Sequence, residues 1–193
     1  MKRNQLVQTA VVVGAVAALF LGCDRQPQTE GPGGSPALGD LKGSAAGVTW
    51  TVPARWADMG ERQMRVASYG VPAKGEEAGQ GAECAVSFFG TGQGGTVEMN
   101  FQRWIGQFEQ PVSPERSTID AAGLQVDVLK VTGTYLAPGG MMMQSQGKKE
   151  DYRMLGAVVE APEGVVFFKL TGPKETVTRA EEEFEAMIGS LSR

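Results

Sequence analysis

The chain has 193 residues, with 18 basic and 22 acidic side chains, 27 glycines, 2 cysteines and no histidine. That length suits one ordinary globular domain with a tail, and 41% hydrophobic against 21% charged residues is enough to bury a core. A chain without histidine holds no Ser-His-Asp or Cys-His nucleophilic site of its own and lacks the commonest zinc ligand, and its net charge of −4 suits nucleic acid poorly.

The first predicted element is a targeting segment. Lys2 and Arg3 give a positive start, and Leu6 to Leu21 is a charge-free, mainly apolar run of 16 residues. A helix of that length rises about 24 Å, short of the roughly 30 Å bilayer core but suited to a signal peptide. The run ends in Leu19-Phe20-Leu21-Gly22-Cys23, which resembles the bacterial lipobox. The resemblance implies a signal peptide over residues 1–22, cleavage after Gly22, and a diacylglycerol on Cys23. An ordinary secretory signal or an uncleaved anchor are the alternatives. Asp24 resembles the retention signal that holds enteric lipoproteins at the inner membrane. Loss of Lys2 and Arg3 moves the formal charge from −4 to −6. With Cys23 acylated, Cys84 has no intrachain partner, so a hydrophobic core must hold the fold.

Residues 23–47 are read as the lipidated cysteine and a flexible tether, because Gly, Pro, Ser and Ala dominate without an apolar period. Such a coil holds a domain roughly 25–30 Å from its anchor. The domain is expected over residues 48–193. Val48 to Val52 alternates and stops at Pro53, a strand signature. Met64 to Tyr69 predicts a second strand, 70–82 a loop, and Glu83 to Phe89 a third strand with Cys84, Val86 and Phe88 on one face. From Thr96 the period changes: Val97, Phe101, Trp104, Ile105 and Phe108 share one helical face. Ser117 to Asp120 predicts a short strand and Leu124 to Tyr135 a long one, with a bulge or bend where the apolar side shifts near Val128 and Leu129. Tyr152 to Glu160 and Val165 to Leu170 predict a hairpin. Val177, Ala180, Phe184, Met187, Ile188 and Leu191 mark a closing helix. Short links imply antiparallel pairing, so the expectation is an α+β domain whose antiparallel sheet is flanked by helices.

Several segments carry candidate chemistry. Gly90-Thr91-Gly92-Gln93-Gly94-Gly95 satisfies G-x-G-x-x-G between a strand and a helix. The βαβ alternation of a dinucleotide fold is missing, so Gly92, Gly94 and Gly95 are read as a flexible turn and a candidate anion site. Met141, Met142 and Met143 could offer thioethers to Cu(I), though consecutive methionines do not pre-form a site; contact with a partner is the other reading. Arg103, Trp104 and Gln107, with Gln102, are a candidate binding surface for a carboxylate or phosphate, a solvated helix face being the commoner reading of such residues. Cys84 reads as a core thiol, and Glu181 to Glu185 as solvated helix surface.

Trp50-Thr51-Val52-Pro53 with Trp56, Met64 to Tyr69, the Gly-rich turn, Arg103 to Phe108, Gly133-Thr134-Tyr135 and Phe168 to Pro173 are similar to a group of exported bacterial lipoproteins of unknown activity. In element order the domain resembles the PsbP-like fold, shared by a photosystem II extrinsic subunit and a Ran-binding nuclear-import protein. The resemblance implies an α-β-α sandwich that acts mostly by binding other proteins, and supplies no catalytic residue. The expectation is therefore a lipid-anchored envelope or periplasmic protein, non-catalytic and without cofactor, that binds a membrane-associated protein partner and no nucleic acid. A small-ligand or copper-binding lipoprotein is the alternative, and a hydrolase comes third.

Overall fold

Val166, Phe168 and Leu170 face one core and Phe167 faces another, so a single strand feeds two apolar layers. The computed structural model of the chain describes residues 37–73, 80–136 and 147–193. The expected signal segment 1–22, Cys23, the tether up to residue 36 and Met141 to Met143 lie outside the described residues. In chain order the elements are β1 (Leu38–Ala45), β2 (Val48–Pro53), β3 (Ala57–Asp58), β4 (Ala67–Val71), β5 (Ala82–Phe88), α1 (Val97–Ile105), β6 (Glu115–Ala121), β7 (Leu124–Leu136), β8 (Lys148–Ala161), β9 (Gly164–Pro173), α2 (Lys174–Arg179) and α3 (Glu181–Gly189).

Seven strands form an antiparallel sheet in the order β3-β4-β5-β9-β8-β7-β6, and β1 pairs with β2 separately. One sheet face carries Cys84, Val86, Val126, Leu155, Ala157 and Phe168, covered by Trp50 of β2 and by Phe184, Met187 and Ile188 of α3. The opposite face carries Leu129, Val131, Met154, Val158 and Phe167, covered by Phe101 and Trp104 of α1 and by Phe108 beyond it. Each large side chain buried this way contributes about 1.5–3 kcal/mol. The architecture is the α+β, helix-flanked antiparallel sheet that the sequence predicts.

Several local expectations are corrected. The tether does not extend to residue 47, because Leu38–Ala45 is a strand. It rides on β2 with mostly outward side chains, so no apolar period betrays it. Its Gly43 lies where an added Cβ would come within 2.3 Å of the Trp50 indole, so this glycine serves close packing. The Ala46-Gly47 turn has φ of 51° and 77°, both in the left-handed region that two-residue hairpins use. The apolar side shift at Val128 and Leu129 is not a bulge: Val128 belongs to one core and Leu129 to the other. The irregularity lies further on, between Gly133 and Tyr135.

β4 begins at Ala67, since Met64 sits at φ 65° in a turn closed between Arg62 and Arg65. β8 begins at Lys148 rather than Tyr152. The closing helix is two helices meeting at the buried Ala180. Its acidic run is not a simple solvated face. Glu183 is buried, accepting a hydrogen bond from Arg55 at 2.6 Å and one from the Trp56 indole at 2.8 Å. Glu181 pairs with Lys130 at 2.7 Å and with Arg153 at 2.7 Å.

Candidate functional site

α1 is set on the sheet by its ends and by one close fit. The Thr96 hydroxyl accepts from the Met99 backbone N–H at 3.2 Å, a helix cap, and Glu98 occupies the first turn. Trp104 lies over Gly156 of β8, where any Cβ would come within 2.4 Å of the indole. Past the C-cap Gly106 the chain turns onto the end of β7: Leu136 donates to the Gln107 carbonyl at 2.8 Å, and Glu109 donates to the Thr134 carbonyl at 2.9 Å. Phe108 thereby packs edge-on against Tyr135, ring centres 5.3 Å apart.

The β7–β8 irregularity has a consequence for side-chain direction. Gly133 pairs with Tyr152, but Tyr135 pairs with Lys149, so three β8 steps oppose two on β7. The extra residue includes Asp151, at φ 51°. In a regular strand Lys149 and Tyr152 would point to opposite faces; the bulge brings both to the α1 face. Tyr152 stacks parallel to Tyr135 at 5.8 Å, and the Lys149 ammonium lies 5.4 Å from the Tyr152 ring centre.

These residues wall a pocket of about 360 Å³, open on the α1 side of the sheet. Its floor is Ala85, Glu83, Lys169 and Thr171 of the paired strands β5 and β9. Arg65 and Lys149 flank it. Lys169 donates to the Gln107 side-chain oxygen and sits 5.6 Å from the Tyr135 ring centre. Its cross-strand neighbours are Ala85, which lines the pocket, and Gly156, whose open side Trp104 fills. Burial, then the positive charges of Arg103 and Arg65, push the Lys169 pKa down from 10.5 to about 8. Burial likewise raises the Tyr135 hydroxyl. Arg65 is paired with Glu83. Among the described residues, Lys169, Lys149 and Arg103 have no carboxylate at ion-pairing distance; Arg103 donates to the Asn100 side chain instead. The Thr171 hydroxyl oxygen is buried without a hydrogen-bond partner among the described residues.

The sequence-predicted candidates fare differently. Gln107 meets the pocket through the hydrogen bond it accepts from Lys169, and Arg103 through its field on Lys169. Trp104 is not a surface residue: it is 4% exposed and belongs to the core. Gly92, Gly94 and Gly95 lie beyond the end of β5, whose last pair, Phe88 with Val166, is already three ladder pairs from Lys169. There Gly94 permits close approach of Phe167, within 2.8 Å of where a Cβ would stand, and the Thr91 hydroxyl donates to the Glu163 carbonyl at 2.7 Å. That turn is joined to the β8–β9 hairpin. Cys84 is fully buried and burial pushes its thiol pKa up, as befits a core residue. The described residues contain no group of three or more Cys, Asp or Glu placed to hold a metal, and no helix among them is long and apolar enough to cross a membrane. Sequence reasoning missed Lys169, Lys149, Tyr135 and Tyr152. Their joint placement depends on the bulge, which no periodicity announces.

Fold and pocket together define an α+β sandwich with a basic, tyrosine-walled cavity under its single-helix face. No family model matches the chain, and no curated protein matches it. Among solved structures it is similar to the cyanobacterial PsbP protein, CyanoP, of Synechocystis, with TM-score 0.47 and 13% identity over 85% of this chain and 96% of that one. It is also similar to a Pseudomonas aeruginosa protein of unknown function, with TM-score 0.45 and 13% identity over 79% of this chain and 96% of that one.

Proposed function

We propose that this chain is a lipid-anchored protein of the bacterial cell envelope whose α+β body is a non-catalytic module that binds a membrane-associated protein partner. The observation that carries binding is the pocket. It gathers two cations, Lys169 and Lys149, that have no carboxylate partner among the described residues, a hydroxyl without a hydrogen-bond partner there and two stacked tyrosines, groups that recognise a ligand rather than divide acid and base roles. The anchor rests on the sequence from Lys2 to Cys23. Acyl chains on that cysteine add about 0.8 kcal/mol per buried methylene, and more than one chain gives stable attachment. The same pocket favours a second reading, a small-ligand-binding lipoprotein.

Expression of Cys23→Ala beside the wild type tests the anchor. Membrane fractionation and the intact mass of the mature protein should show an acylated, membrane-bound wild type and a released, unacylated variant. An unmodified wild-type mass contradicts the anchor. Affinity capture from detergent-solubilised membranes tests the module, and no reproducible partner counts against it.

A further inference from the structure

Among the described residues, positive charge in the pocket is unbalanced. Glu83 neutralises Arg65 and also meets Arg62 at 3.4 Å, so the one carboxylate on the floor is already engaged. Lys169, Lys149 and Arg103 have no such partner among the described residues. A cation withdrawn from water ordinarily acquires a counter-charge, because the unpaired state costs several kcal/mol. Lys169 has a neutral amide oxygen and a ring face in its place.

Thr171, on the same strand and the same face two residues on, holds a hydroxyl with no acceptor among the described residues. Beside these groups stands a flat apolar wall, Tyr135 and Tyr152, whose ring planes differ by 8°. What all three features lack is supplied by one kind of molecule: negative charge, acceptor oxygens and a planar or apolar body.

We infer that the pocket binds an oxyanion-bearing ligand, its carboxylate or phosphate group seated between Lys169, Lys149 and Thr171 and its flat body against the Tyr135–Tyr152 pair. The inference rests on reading the body as a binding module and names the chemistry of what it binds. An acidic side chain of a protein partner and a free aromatic acid share that chemistry.

The test is isothermal calorimetry on the full-length protein in detergent with four probes: phenyl phosphate, benzoate, an acidic aromatic tripeptide and the neutral benzyl alcohol. The charged probes should bind at least about tenfold more tightly than benzyl alcohol, since a charge-assisted hydrogen bond outweighs the ring contact they share. Lys169→Met should weaken them about tenfold or more, and Thr171→Val about threefold. Lys149→Met, at a partly exposed position on the rim, should weaken them by several-fold without disturbing the fold. A tripeptide tighter than phenyl phosphate assigns the site to a partner's acidic side chain, and the reverse order assigns it to a free ligand.

Equal affinity for charged and neutral probes overturns the inference. So does unchanged binding in both lysine variants, or no binding of any anion below ~10 mM. If the anions fail while wild type and variants still capture the same membrane protein, the pocket assignment falls and the binding module stands.

Discussion

Replacing Lys169 by methionine keeps the stem and removes the ammonium. The ammonium titrates at about 8 in the folded chain against 10.5 when unperturbed. At about 1.4 kcal/mol per pH unit, keeping it charged in the fold costs about 3 kcal/mol. Solvent at the pocket mouth lowers that, so Lys169→Met should stabilise the domain by about 1–3 kcal/mol at pH 7. The groups facing Lys169 are Arg65, Glu83 of β5, Arg103 of α1 with Gln107 beyond it, Tyr135 of β7, and Lys149 and Tyr152 of β8. Below pH 8 folded and unfolded chains are both protonated at this site, and the folded state bears the whole penalty. Between pH 8 and 10.5 the unfolded chain binds more protons, so this site's contribution to stability rises with pH. Above 10.5 the penalty is gone. Urea unfolding of both proteins from pH 6 to 11 gives the difference directly, and other titrations cancel in it. The variant's advantage should be full below pH 8 and fade through the window to 10.5. An advantage that does not change with pH, or a variant less stable than wild type at pH 7, refutes the reasoning.

Gly156→Ala drives a methyl group into the Trp104 ring, so thermal unfolding should show a loss of about 1–3 kcal/mol from overpacking. Glu183→Ala removes one partner of the part-buried Arg55 guanidinium and leaves the buried Trp56 indole N–H without its acceptor, and urea unfolding should show a loss of about 1–3 kcal/mol. Cys84 is buried and its thiol pKa is raised, so a thiol reagent should label it only at the rate at which the domain opens. Labelling of the native protein faster than its unfolding would contradict that.

What the sequence disclosed and what it hid follow from two kinds of signal. Strands β2, β5, β7 and β9 and helix α1 each bury a face, and burial imposes the period that a sequence reveals. β1 buries little of its own and was therefore hidden behind its glycines. Val128 and Leu129 misled for the opposite reason. A sheet covered on both sides buries both residues, which imitates a change of face.

The pocket was half legible. Arg103 and Gln107 stand out as polar residues on an amphipathic helix, but Trp104 beside them is needed to fill the space over Gly156. Lys169 sits inside an apolar strand, where its neighbours Phe168 and Leu170 mask it, and Lys149 joins Tyr152 only through a one-residue bulge. Glu183 looks solvated in sequence because nothing local shows Arg55 and Trp56 waiting more than a hundred residues away.

The most direct measurement follows the Lys169 ammonium itself, by lysine side-chain NMR of the full-length protein titrated with and without saturating phenyl phosphate. Free protein should titrate near 8, and the bound ligand should raise that midpoint towards 10.5, because an oxyanion beside the ammonium favours its charged form. A midpoint that stays put when the ligand is bound, or lies at 10.5 without it, contradicts a pocket built to hold an anion on this side chain.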